Sequence, residues 1–269
     1  MQGIGNDFIV VDALSSDYAP ANPSAFARKV NDRRFGVGGD GLVILDRGAE
    51  APFRMRMFNP DGSESEMCGN AVRCIARLIR ERGYSDAEQI PIETGSGLLR
   101  LETTSSGSVR VDMGPAILAM GQIPMVGDPA QSFIDQPIEG YRATAVSMGN
   151  PHLVIFVDDV NNVDLEILGA RFETHRLFPN RINVHFAQVM DRSSIVQRTW
   201  ERGAGVTLAC GTGACAVGVA AKITGRADSP IDIRLPGGHL QIEVDADLRV
   251  HMTGPAETVF EGVWPDATA

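Results

Sequence analysis

Asn59-Pro60-Asp61-Gly62-Ser63, then four residues, then Cys68-Gly69-Asn70-Ala71-Val72-Arg73: this stretch decides how the rest of the chain is read. Asn-Pro and Asp-Gly dipeptides mark turns. Beyond them the apolar residues fall at Val72, Ile75, Leu78 and Ile79, with Arg73, Arg77 and Arg80 between. That spacing predicts a helix, and Gly83 is placed to end it. Cys68 then sits at the first turn, where unpaired amides and the helix dipole favour an anion. A thiol so placed ionises more easily and can act as base or nucleophile. Taken alone it reads equally well as a buried packing residue.

A second stretch repeats the device. Glu201-Arg202-Gly203-Ala204-Gly205 precedes Cys210-Gly211-Thr212-Gly213-Ala214. The run from Ala214 to Ala221 is small and apolar on every side, as in a helix buried all round, and Gly225 can end it. Cys210 follows Cys68 by 210 − 68 = 142 residues, and other matches fall in order within two residues of that offset. Gly5-Asn6 before the strand Phe8–Val11 corresponds to Gly149-Asn150 before Leu153–Val157. Leu99-Arg100-Leu101-Glu102 corresponds to Leu240-Gln241-Ile242-Glu243. Gly114-Pro115-Ala116 corresponds to Gly254-Pro255-Ala256. The chain is therefore a tandem duplication, with a unit too long for a solenoid repeat.

Strands are expected at Leu42–Leu45, Phe53–Phe58, Ile90–Glu93, Leu98–Glu102 and Val109–Met113, and a helix over Pro23 to Asn31. The expected class is α+β: two pseudo-symmetric domains, each a mainly antiparallel sheet or barrel around a central helix. The expected division is residues 1–116 and 117–256, with the tail 257–269 packing back on the first domain. Ligand sites favour such domain boundaries, so the active site is expected in the cleft between the halves. One thiol from each half, offered to opposite faces of a carbon, is what stereoinversion requires.

Composition narrows the classes. At 269 residues, 43% hydrophobic and 22% charged, the chain has the make-up of a globular protein with a full core. A net charge of −10 argues against a nucleic-acid binder. There is no apolar run near the length of a membrane span and no basic-then-apolar leader pattern. Four cysteines in a chain this long point to a reducing, cytoplasmic setting. Their spacing is wrong for a Cys-x-x-Cys zinc site, so no metal is expected. Gly36-Val37-Gly38-Gly39-Asp40-Gly41 leads into a strand rather than a helix, the wrong order for a dinucleotide site.

The Asn59-x-Asp61-Gly62-Ser63-x4-Cys68-Gly69-Asn70-Ala71-x-Arg73 pattern, with Gly149-Asn150-Pro151-His152, Glu201-Arg202-Gly203-Ala204-Gly205 and Ala209-Cys210-Gly211-Thr212-Gly213, resembles the diaminopimelate epimerases over nearly the whole chain. The paired-cysteine plan alone is shared with the wider class of cofactor-independent amino-acid racemases. The resemblance implies interconversion of LL- and meso-diaminopimelate without pyridoxal phosphate or other cofactor, in lysine and peptidoglycan synthesis, by a homodimer. It implies Cys68 and Cys210 as the catalytic thiols, with His152 and Glu201 supporting them. Gly69, Asn70, Gly211 and Thr212 would hold the reacting carboxylate at the helix starts. Asn6, Asn59, Asn150, Asn183, Glu201 and Arg202 would complete the substrate contacts, Arg202 gripping the distal carboxylate and Glu201 the distal ammonium. The alternative is a related racemase with another amino-acid substrate.

Read without the resemblance, several of these residues have plainer roles. Asn59 can simply start a turn, Asn150 precede a proline, and His152 be a satisfied histidine at a strand start. Cys74 and Cys215 read as buried packing, and the arginines of the first helix as a solvated face. Three positions depart from the family pattern. Gln2 stands where many members have His, after a longer N-terminal segment. Gly41 stands where many have Gln, and Val206 where Glu is common.

Overall fold

The computed structural model describes residues 1–16, 19–104 and 107–265, which form two units: Met1–Val109 with Pro255–Ala269, and Arg110–Gly254. The end of the expected tail, residues 266–269, lies outside the described residues.

The first unit carries β1 (Gln2–Gly3), β2 (Asn6–Asp12), α1 (Ala13–Ser16), α2 (Pro23–Val30), β3 (Gly41–Arg47), β4 (Phe53–Phe58), β5 (Glu64–Ser65), α3 (Gly69–Glu81), β6 (Gln89–Thr94) and β7 (Gly97–Thr103). The second carries β8 (Val109–Pro115, its first residue on the boundary), β9 (Gln136–Ile138), β10 (Tyr141–Ser147), β11 (Pro151–Phe156), α4 (Leu165–Glu173), β12 (Asn183–Asp191), β13 (Ser194–Glu201), β14 (Gly205–Thr207), α5 (Gly211–Ile223), β15 (Ile231–Leu235), β16 (Gly238–Val244) and β17 (Arg249–Gly254). The expected division at residue 116 differs from this one by a single strand. β8 pairs with β17, so its backbone hydrogen bonds tie it to the second unit.

The pairings of the two units replay each other. β2–β3 is parallel, as is β11–β12. β3–β4 and β12–β13 are antiparallel, followed by the short antiparallel pairs β4–β5 and β13–β14. β4–β6 and β13–β15 are parallel, and β6–β7 and β15–β16 antiparallel. Both sheets are thus mixed, with antiparallel pairs in the majority. A shared pairing scheme is what a duplicated sequence must produce, because register follows the inward-facing pattern of each strand.

One helix lies on each sheet. α3 and α5 both have 13 residues, and ten of each are buried. Ile75 and Ile79 are fully buried, each worth roughly 1.5–3 kcal/mol over an exposed position. Both helices end alike. Gly83 and Gly225 take φ of +68° and +69°, and the amides of Tyr84 and Arg226 return to the carbonyls of Ile79 and Ala221. That left-handed cap suits glycine because a Cβ would be strained there. α2 starts on Asn22, whose side chain accepts from the Ala25 amide, with Pro23 next.

The expectation of a solvated arginine face on α3 fails at Arg73, which is fully buried. Its guanidinium donates to Gly69 O (3.1 Å), Asn70 Oδ1 (2.9 Å) and Pro255 O (3.2 Å). A buried guanidinium is tolerable only with its donors satisfied, and two of these acceptors lie in the first turn of its own helix. Arg77 and Arg80 remain partly exposed. Among the described residues no helix is long and apolar enough to cross a membrane.

Candidate active site

Cys68 and Cys210 are the N-caps of α3 and α5. Each has extended backbone, φ −143°, ψ 120° for Cys68 and φ −133°, ψ 103° for Cys210, and neither side chain caps its helix. Ser, Thr, Asp or Asn here would occupy the first-turn amides. A cysteine leaves them for another anion. Gly69 and Gly211 follow as buried first residues of the helices.

Around Cys68 the polar groups are fixed in a chain. The Asp40 carboxylate accepts from Asn6 Nδ2 at 2.6 Å and is itself held by Arg33 at 2.8 Å. A carboxylate only accepts, so Asn6 must turn its Oδ1 the other way. That oxygen accepts from Asn70 Nδ2 at 3.0 Å and lies 3.9 Å from the Cys68 Sγ. Asn70 is clamped from behind by Arg73. The Arg33 guanidinium also pairs with Asp7 at 2.7 Å and holds that carboxyl below the usual carboxylate range. Asn59 serves its own turn: its Nδ2 donates to Ser63 Oγ at 3.0 Å and its amide to Ser63 O at 2.8 Å. Gly41 begins β3 in a tight place, where a Cβ would stand 3.1 Å from Phe58 O and 3.2 Å from Met57 Cε. The glutamine common in the family would not fit there without movement.

Around Cys210 the network is longer, and its members from Thr212 to Gln197 are uncharged side chains. Thr212 Oγ1 lies 3.8 Å from Sγ. Asn150 Nδ2 donates to Thr212 Oγ1 at 3.3 Å, and Asn150 Oδ1 is 2.8 Å from His152 Nε2. His152 Nδ1 is 2.9 Å from His185 Nε2. His185 Nδ1 is 3.1 Å from both Thr199 Oγ1 and Gln197 Nε2, and Gln197 Nε2 also donates to Thr199 Oγ1 at 2.9 Å. Both imidazoles are fully buried. Burial pushes the His152 pKa well below 6.5 and that of His185 down to about 3, so both are neutral near pH 7. Glu201 Oε1 accepts from Thr207 Oγ1 at 2.6 Å. Asn183 is committed to backbone, donating to Pro151 O at 2.8 Å and accepting from the Arg202 amide at 2.9 Å. Arg202 is exposed, its guanidinium donating to Asn180 O at 3.2 Å. Val206 is also exposed and pairs with Trp200 across β13–β14.

His152, His185 and Cys210 bring metal-type donor atoms within 4.8 Å of one another. Every ring nitrogen of the two histidines already has a hydrogen-bond partner, so a metal would have to displace one such partner from each ring to enter. Cys74 and Cys215 are fully buried, and burial pushes the Cys74 thiol up to about 12, which leaves it unreactive. A cavity of about 640 Å³ in the first unit lies between β2 and residues 258–264, and neither Cys68 nor Asn6 lines it.

Sequence reading missed Asp40, Arg73, His185, Gln197 and Thr199. A signal existed for the last two. β13 alternates, and its buried positions Ile195, Gln197 and Thr199 put two polar residues where the pattern calls for apolar ones.

A family profile described as diaminopimelate epimerase matches residues 1–119 and 144–259. The chain is 47% identical to a diaminopimelate epimerase of Moorella thermoacetica, over 98% of each chain. It is 48% identical to one of Desulforudis audaxviator, over 98% of this chain and 97% of that one. Its fold resembles that of a Bacillus anthracis PhzF-family phenazine biosynthesis protein (TM-score 0.68, 16% identity, 94% and 91% covered). It also resembles an Agrobacterium vitis hydroxyproline epimerase solved with bound trans-4-hydroxy-L-proline (TM-score 0.61, 15% identity, 94% and 86% covered).

Proposed function

The chain belongs to the diaminopimelate epimerase family, and we propose that it interconverts LL- and meso-diaminopimelate by a two-base exchange between Cys68 and Cys210. The observation that carries this reading is the twofold occurrence of one arrangement: a cysteine as N-cap, in the same extended conformation, on a 13-residue helix that the cysteine's own side chain does not cap. Amides so placed suit the carboxylate next to the reacting carbon. As the α-hydrogen leaves, negative charge spreads into that carboxylate, and donors already oriented for it stabilise the transition state. One thiolate takes the proton and becomes a thiol. The other thiol gives its proton to the opposite face and becomes a thiolate, so the reverse reaction starts from the state that the forward one leaves.

The distal end of the substrate is a second amino-acid head group. Arg202 supplies the charge for its carboxylate and Glu201 for its ammonium, the pairing in which charged hydrogen bonds are strongest. Asn183 contributes by holding the Arg202 backbone. The enzyme works in the cytoplasm as a homodimer, in keeping with its place in lysine and peptidoglycan synthesis. The test is incubation with LL-diaminopimelate in heavy water. Deuterium at the α-carbon together with meso product is expected. Exchange into a different amino acid, with none into diaminopimelate, would refute the substrate. Exchange into none would refute the activity.

A further inference from the structure

The buried network behind Cys210 runs from Gln197 through His185, His152, Asn150 and Thr212 to the thiol, and each hydrogen bond constrains the next. Gln197 has an amide with two possible orientations. With Nε2 toward His185 Nδ1 and Thr199 Oγ1, both of its donors are used and Oε1 is the orphan. Turned over, the amide would bury two donors without acceptors, and a buried unpaired N–H is the rarer and costlier defect. The observed orientation therefore wins, and the rest is forced.

Gln197 donates to His185 Nδ1, so the His185 proton is on Nε2. That proton faces His152 Nδ1, which must accept. The His152 proton is then on Nε2 and goes to Asn150 Oδ1. Asn150 consequently turns its Nδ2 to Thr212 Oγ1. Asn150 takes one of the hydroxyl's two lone pairs and leaves the Thr212 O–H proton free to point at Cys210 Sγ, 3.8 Å away.

We propose that His185 and Gln197 are positioning residues for Cys210: with Thr199 they fix the proton on His152 Nε2, and through it Asn150 and Thr212, so that the chain ends with a donor aimed at Sγ. A hydroxyl donor favours the thiolate over the thiol. His185 and Gln197 never approach the substrate in this account. They act by setting polarity, and the neutrality of both imidazoles is what makes the polarity unique, since a doubly protonated ring would donate both ways. Gly213 is part of the device. A Cβ there would stand 2.3 Å from His185 Cε1, so only glycine lets the ring lie against the first turn of α5. The inference rests on the reading of Cys210 as a proton-transfer thiol.

The experiment is the pH profile of alkylation by iodoacetamide, read separately for the Cys210 and Cys68 peptides by mass spectrometry. His185→Leu keeps an apolar filler of similar volume and removes the donor to His152. Alkylation of Cys210 at pH 7 should slow by roughly tenfold, the size expected for one misdirected hydrogen bond to a charged group, and its profile should move to higher pH. The Cys68 profile should stay in place. His185→Gln, which can still present an N–H toward His152 Nδ1, should recover much of the wild-type rate. Gln197→Leu should act in the same direction but less, because Thr199 Oγ1 can still donate to His185. It also removes a buried unsatisfied oxygen, so it decides the matter alone if His185→Leu does not fold. An unchanged Cys210 profile in the folded Leu variants, or equal slowing of Cys68 and Cys210, would overturn the proposal. These rate changes in a protein that exchanges no α-hydrogen of diaminopimelate would refute the proposed function and leave the positioning role standing.

Discussion

Gly213→Ala tests the packing of His185 most directly, because two opposed effects of different size meet at one atom. Gly213 is the third residue of α5 and not a left-handed position. On helix propensity alone, alanine there should stabilise by about 0.8–1 kcal/mol. Against this, the new Cβ would stand 2.3 Å from His185 Cε1, 2.8 Å from Nε2 and 2.9 Å from Nδ1. The imidazole is rigid and fully buried, and its far side is held by His152 at 2.9 Å and by Gln197 and Thr199 at 3.1 Å. It cannot retreat by an ångström without breaking one of those bonds. Overpacking costs about 1–3 kcal/mol, and a buried polar group left unpaired about 1–3 more. The balance is a loss of roughly 1–5 kcal/mol. Urea unfolding followed by Trp200 fluorescence in a Trp264→Phe background reads the second unit alone. In a His185→Ala background the obstacle is gone, and Gly213→Ala should instead stabilise by about the propensity difference. A gain in stability with His185 present, or the same loss in both backgrounds, would refute the ring contact as the cause.

Three further outcomes are expected. Cys68→Ala and Cys210→Ala should each abolish epimerisation, and the serine variants should keep only a trace, since a hydroxyl is a far weaker acid than a thiol near neutral pH; near-normal turnover in either alanine variant rules out two-base exchange. Arg202→Met should act mainly on substrate binding, raising KM by the equivalent of roughly 1.5–3 kcal/mol for a lost charged hydrogen bond; unchanged steady-state constants would take Arg202 out of the site. Stability should fall with acid before carboxylates titrate: the folded pKa of His152 and His185 lies below 6.5 through burial, that of His185 at about 3. The unfolded chain therefore binds their protons first, and their contribution, complete above about pH 6.5, is lost as pH drops through the folded pKa of each, which for His185 is about 3. Each costs about 1.4 kcal/mol per pH unit well inside that window, so unfolding free energies that do not change between pH 6.5 and 5 would contradict neutral burial.

The duplication was legible because it is written in local pattern. Turn, Cys-Gly, helix and the strands after them recur at a near-constant offset, and periodicity within each element supplies its type. The two thiols were legible for the same reason, since a cysteine at a helix start is a local fact. Arg73 was misread because helical spacing shows only that a residue falls between apolar neighbours. One of its acceptors, Pro255 O, is 182 residues away in sequence, and no local window contains it. His185 escaped notice similarly. It stands on β12, and the partners that give it meaning come from β11 and β13. The boundary at residue 116 missed one strand because the Gly-Pro-Ala repeat marks the end of the duplicated sequence, whereas the unit is defined by the partner with which β8 pairs.

The two thiols have the same backbone setting, and a different kind of polar group lies within 4 Å of each. Beside Cys68 an amide oxygen lies 3.9 Å from Sγ, and it is an acceptor because Asp40, held by Arg33, can take only the N–H side of Asn6. Beside Cys210 it is the Thr212 hydroxyl, which accepts from Asn150 and keeps its proton free for Sγ. An acceptor stabilises S–H and a donor stabilises S⁻. A two-base exchange must begin with one thiol and one thiolate, and two identical helix N-termini cannot by themselves say which is which. Duplication supplied the matched pair of helix starts. The difference between them was added by residues outside the Cys-Gly motifs, a charged anchor in one unit and a neutral imidazole pair in the other. That is why substitutions at Asp40 or His185, which leave both cysteines in place, should each alter the ionisation of the thiol in its own unit.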